Sequence, residues 1–167
     1  MYQDYKDLLS AFQSHGVKYL VVGALAVIYH SQPRFTKDMD LFIKADPENA
    51  KATYGALAQF GAPLQGINPE DFTNQNIFFR FGREPRGFDI LISIPGVDFD
   101  AAWSRRVEAI IDPASGLKAN FISAEDLIAS KLASGRPQDL ADADAVRKAM
   151  ESQRPGAKRK PSAPSGP

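Results

Sequence analysis

Cysteine is absent from these 167 residues. Its absence excludes disulfides and thiolate metal sites, and suits a cytoplasmic protein. No apolar run reaches membrane-spanning length, and the opening "MYQDYKDLLS" lacks the pattern of a signal peptide, so no membrane partner is expected. Neither sign of charge is in excess, with 20 Lys and Arg against 20 Asp and Glu. That balance argues against a broad nucleic-acid surface, which needs clustered cations, and leaves room only for a local basic groove. The two histidines, His15 and His30, are too distant to form a metal constellation and read as structural. What is present is ordinary for a soluble domain, 44% apolar and 24% charged. A chain of this length buries roughly two thirds of its unfolded surface.

The pattern along the chain alternates between helical and extended. "YKDLLSAFQSHG" has helical spacing and stops at Gly16, and "VKYLVV" reads as a buried strand. Gly23 follows, then a short helix in "ALAVIYH" and a strand in "DMDLFI". "ADPENAKATYGALAQFG" is a helix with Asp46 as N-cap, Pro47 in the first turn and Gly61 at its end. "PLQGINPEDFTNQ" is a long polar loop in which Asn68 and Asp71 are candidates to touch an acceptor.

"NIFFRFG" and "GFDILISI" read as a hairpin joined at "REPR", and Phe78, Phe79 and Phe81 as strand packing. "DFDAAWSRR" is a short helix placing Trp103 in the core, and "VEAIID" and "LKANFI" form a second strand pair turning at "PASG". "SAEDLIASKLASG" opens with Ser123 and Asp126 in capping-box spacing, and a last helix runs through "PQDLADADAVRKAM". From residue 152 the composition shifts to Pro, Ser, Gly, Lys and Arg, giving a folded domain over 1–151 and a disordered tail over 152–167. The element order implies an α/β (α+β) fold with a mixed sheet flanked by helices, because tight hairpins force antiparallel pairs.

Two aspartates stand out in "DMDLFI". Side chains alternate along a strand, so Asp38 and Asp40 share one face, with Cβ atoms about 7 Å apart. Such a pair can lean towards one hard cation, and Mg²⁺ suits oxygen donors of this kind. The spacing alone decides nothing. With Asp near ~6% of positions, D-x-D arises by chance about once in every two chains of this length.

Three further features add weight. Gly23 ends a buried strand and opens a helix, which presents free N–H groups to a phosphate. Asp89 is the one charge in an apolar strand, costly unless paired, and its partner is either a metal or Arg80 or Arg86. Arg34 and Lys131 supply cations for phosphates. Lys131 reads equally as an exposed helical lysine, and Asp139 and Asp142 as residues that cap or solvate a helix start. Two metal ions could serve the attacking and leaving oxygens of an in-line phosphoryl transfer.

Together, "GALAVIYHSQPRFTKDMDLFI", "FDIL" and "SAEDLIASKLASGRPQDLADADAV" resemble the nucleotidyltransferase-fold superfamily. The likeness is to small bacterial nucleotidyltransferases related to the minimal nucleotidyltransferases and the abortive-infection toxins, over roughly residues 5 to 150. It implies a nucleotidyltransferase fold and transfer of a nucleoside monophosphate from an NTP to an acceptor hydroxyl. The acceptor is left open between a protein side chain, an RNA end and a small molecule. The resemblance assigns Asp38, Asp40 and Asp89 to two Mg²⁺ ions, with Mn²⁺ as a substitute, and Asp89 also to the acceptor hydroxyl. It places Gly23 and Ala24 at the phosphates and Lys131, with Asp139, as a helical charge pair of the site. Arg34 and Thr36 support the loop or the nucleotide. Ala24 departs from the family's Gly or Ser. That departure favours the competing expectation, a catalytically weak or inactive module that binds a protein partner as an antitoxin or regulator. A third expectation is nucleic-acid binding by the basic tail.

Overall fold

The computed structural model describes residues 1–33, 36–83 and 86–156. Arg34, and the expected tail from residue 157 onward, lie outside the described residues. The helices are α1 (Gln3–Ser14), α2 (Gly23–His30), α3 (Pro47–Phe60), α4 (Phe99–Ser104), α5 (Ala124–Ser134) and α6 (Pro137–Ser152). The strands are β1 (Tyr19–Val22), β2 (Asp38–Ile43), β3 (Phe78–Arg83), β4 (Arg86–Leu91), β5 (Val107–Asp112) and β6 (Leu117–Phe121). They form one sheet in the order β3-β4-β2-β1-β6-β5. The two hairpins β3–β4 and β5–β6 are antiparallel, as is β1–β2, whereas β2–β4 and β1–β6 are parallel. The expected mixed sheet flanked by helices is therefore the one that forms.

Local chemistry sets the element ends. The Asp46 side chain accepts the Asn49 amide at 2.6 Å, Pro47 occupies the first turn, and Gly61 leaves α3 at φ 93°. Ser123 accepts the Asp126 amide at 3.1 Å and so starts α5, as the capping-box spacing predicts. Asn49, buried in the first turn of α3, stitches the helix to two strand ends. It accepts from the Lys18 amide at 2.7 Å and donates to the carbonyls of Lys18 and Lys44 at 3.0 and 2.9 Å.

Strand alternation divides the sheet into two unlike faces. Met39, Leu41 and Ile43 are buried on one, where Phe60 at the end of α3 meets Phe88 of β4 with ring centroids 5.6 Å apart. Asp38, Asp40 and Phe42 share the other face with Asp89, and Phe42 meets Phe99 of α4 there. Among the described residues, no helix is long and apolar enough to cross a membrane.

Some packing expectations change. Trp103 is only half-buried. It stacks on Phe99 and carries the Arg106 guanidinium 3.9 Å above its ring, while Phe99 and Ala102 are the residues that α4 buries. Phe81 and Phe79 do pack, but Phe78 on the edge strand is 60% exposed. In the long loop a 3₁₀ turn (Pro69–Thr73) buries Phe72. Asp71 accepts the Asn68 amide at 2.8 Å, so its carboxylate is spent on the turn. The histidines are structural, His15 beside Gln59 at 2.7 Å and His30 beside the Ile122 carbonyl at 2.7 Å.

Candidate active site

Register brings the carboxylates together. In the parallel pair β2–β4, Asp40 stands directly opposite Asp89 and Asp38 opposite Gly87. Asp40 and Asp89 are within hydrogen-bonding reach of each other on the face they share. Burial, then the charge of Asp89 and the contact with it, then Asp38, push the Asp40 carboxyl from 3.8 up to about 6, with Lys131 opposing. Two carboxylates sharing one site cannot both ionise freely without a cation.

Gly23 is shaped by the same crowding. Its φ is 64°, and a Cβ there would lie 2.0 Å from Oδ2 of Asp40. Only glycine lets the Asp40 carboxylate sit against the first turn of α2, where the backbone N–H groups of a helix start have no partner within the helix. Ala24 follows in that turn, and its side chain leaves the N–H available while offering no hydroxyl. Asp38 lies exposed at the start of β2, its Oδ1 near Gly87. Thr36 donates to the Asp38 carbonyl at 3.3 Å, so it braces the entry to β2.

Asp40, Gly23 and Ala24 open onto a cavity of about 510 Å³. Leu91, Ile94, Pro95 and Leu127 give it an apolar wall, and Lys131, Arg136, Asp139 and Asp142 from the α5–α6 hairpin a charged one. Lys131 is not solvated: its side chain is 15% exposed, with Nζ 3.4 Å from Asp139 and 3.3 Å from Asp142. Both aspartates are buried, so neither merely solvates a helix start. Arg136 donates to Asp139 at 2.7 Å and, outweighing the cost of burial, holds that carboxyl well below the usual carboxylate range. Gln138 donates to Asp142 at 2.9 Å.

One participant was read in the sequence only as an alternative partner. Arg80 on β3 faces Asp89 across the hairpin and donates from Nε to Oδ1 at 2.9 Å and from a terminal nitrogen to Oδ2 at 3.0 Å. The sequence signal was available: Arg83 pairs with Arg86, and counting back along the antiparallel register sets residue 80 against 89. Arg136 and Gln138 were missed, because only the α5–α6 turn brings them to the cavity.

The donor set fits a hard divalent cation in chemistry, since Asp38, Asp40 and Asp89 offer oxygens alone on one face of the sheet. Among the described residues, no three His, Cys, Asp or Glu side chains converge on a single point that could hold a metal. The fork from Arg80 engages both Asp89 oxygens instead.

A sequence model of the family described as "Nucleotidyltransferase of unknown function (DUF6036)" matches residues 3–150. No curated protein matches the chain in sequence. Among solved structures, the chain is similar to the lincosamide antibiotic adenylyltransferase LnuA, bound to lincomycin. The TM-score is 0.54 at 15% identity, covering 89% of this chain and 98% of that one, a likeness of fold.

Proposed function

From the premise that this chain belongs to the family of nucleotidyltransferases of unknown function (DUF6036), we propose that it moves a nucleoside monophosphate from an NTP to an acceptor hydroxyl. The observation that carries the reading is the in-register pair Asp40 and Asp89, set against the glycine-led start of α2 and open to a cavity. An acceptor hydroxyl oxygen bonds to the α-phosphorus, the bond from that phosphorus to the bridging oxygen breaks, and pyrophosphate leaves with the electron pair. The hydroxyl proton passes to the aspartate pair.

Asp38, Asp40 and Asp89 would hold Mg²⁺, with Mn²⁺ able to replace it, which when bound supplies positive charge to the phosphates and the leaving group. The N–H groups at the start of α2, Ala24 included, orient phosphate oxygens, and Gly23 keeps a side chain out of their approach. Lys131 adds positive charge to the same cavity, aimed by Asp139 and Asp142. The apolar wall of Leu91, Ile94 and Pro95 limits water on the opposite side.

The test is incubation with Mg²⁺ and each α-labelled NTP, offering cell extract, RNA and a small-molecule panel as acceptors. A lincosamide belongs in that panel because the similar adenylyltransferase binds lincomycin. Label transferred by the wild type and lost in Asp40→Asn is the expected result. Transfer undiminished in Asp40→Asn would refute this reading. The partner-binding alternative is favoured by Ala24, and gains if no label moves while a second protein co-purifies in stoichiometric amount.

A further inference from the structure

The transfer described above makes no use of the most specific ion pair in its own site. Asp89 is 8% exposed and lies beside Asp40, so its charge needs a counter-ion. The planar fork of Arg80 meets that need, with one nitrogen on each oxygen. After Asp89, the charges that act on Arg80 are Asp38 and Asp40, so the guanidinium feels the whole carboxylate group.

Its mounting differs from that of the group it serves. Arg80 stands on β3, an edge strand of the sheet, and its side chain is 68% exposed. Asp40 and Asp89 are fixed by strand pairing and by Gly23, whereas Arg80 can rotate into solvent about its own side-chain bonds without repacking the core. The oxygens it engages are those that Asp89 would offer to a divalent cation. A guanidinium and a divalent ion repel at that distance, so one carboxylate does not favour both.

We propose that Arg80 is a resident counter-cation, which pairs with Asp89 in the metal-free protein and leaves it when a divalent cation binds. The exchange rests on the reading of these aspartates as metal holders. It has two consequences: Arg80 weakens metal binding by competition, and the carboxylates stay paired between turnovers.

The experiment is Mn²⁺ binding to the full chain without nucleotide, read by the loss of free-ion signal in electron paramagnetic resonance and by calorimetry. Wild type is compared with Arg80→Gln, Arg80→Lys and Asp40→Asn. Arg80→Gln should tighten the Mn²⁺ Kd tenfold or more. Arg80→Lys, which keeps the charge without the fork, should fall between it and wild type. Mn²⁺ should also raise the Tm of Arg80→Gln by more than it raises that of wild type. A merely structural ion pair would not tighten metal binding when broken. Should Arg80→Gln not fold, Arg80→Lys decides alone by the same comparison. Wild type binding Mn²⁺ as tightly as the Arg80 variants, with Asp40→Asn silent, overturns the exchange and leaves the metal site standing. No binding by any of the proteins overturns both.

Discussion

Asp40→Asn should stabilise the metal-free protein at neutral pH while abolishing its chemistry. In the fold, Asp40 keeps its proton up to about pH 6, against 3.8 for the free side chain, chiefly through burial and then through Asp89. At about 1.4 kcal/mol per pKa unit, that rise amounts to about 3 kcal/mol. This is an upper figure, because Asp40 keeps part of its surface in water. A raised carboxyl pKa means that the folded state binds more protons than the unfolded chain between about pH 4 and pH 6. Stability is therefore lost as pH rises through that window, and the whole cost is present above it. Asparagine mimics the protonated carboxyl and escapes the cost. The assay is urea unfolding in a chelator at about pH 4.5 and pH 7.5, comparing the two proteins. Relative to wild type, Asp40→Asn should gain up to about 3 kcal/mol across the window. With a slope of about 2 kcal/mol per molar urea, that moves the midpoint by about 1.5 M. Groups remote from the Asp40–Asp89 pair cancel in the comparison, which therefore reads the coupled pair as a unit. Identical pH dependence in wild type and Asp40→Asn would refute the reasoning, because Asp40 would then be neither desolvated nor crowded by Asp89.

Further predictions rest on separate contacts. Gly23→Ala forces a Cβ to within 2.0 Å of Asp40 Oδ2 at a φ of 64°, so it should cost about 1–3 kcal/mol in urea unfolding and remove Mn²⁺ binding; unchanged Mn²⁺ affinity would contradict it. Asn49→Ala removes hydrogen bonds to Lys18 and Lys44 far from the cavity, and should lower stability by about 3 kcal/mol with transfer per folded molecule unchanged. The depressed pKa of Asp139 contributes stability that is present above about pH 4 and lost as pH falls further. Asp139→Asn should accordingly flatten the acid limb of the unfolding profile, and an unaltered limb would show that the Arg136 pair carries no such linkage.

The sequence by itself determined the helices and strands of the described fold, because their cues are local, whereas the 3₁₀ turn (Pro69–Thr73) inside the long loop carried none that was read. Asp46, Pro47 and Gly61 bound α3 by hydrogen bonding and dihedral preference, and Ser123 starts α5 by its own side chain. Alternation alone put Asp38 and Asp40 on one face. It could not say that Asp89 would stand opposite Asp40 rather than elsewhere, since β2 and β4 are not joined by a tight turn and their parallel register is settled only when the sheet assembles. The same limit applies to Lys131. Its helix could equally have exposed it, and only the return of α6 against α5 enclosed it between Asp139 and Asp142. Arg80 sits at the boundary between the two, because hairpin counting makes it the neighbour of Asp89. Whether that neighbour is a bystander or the counter-charge of a buried pair depends on how far water is excluded from Asp89. Tertiary structure decides that, because desolvation comes from every element packed around the carboxylate and from none of them alone.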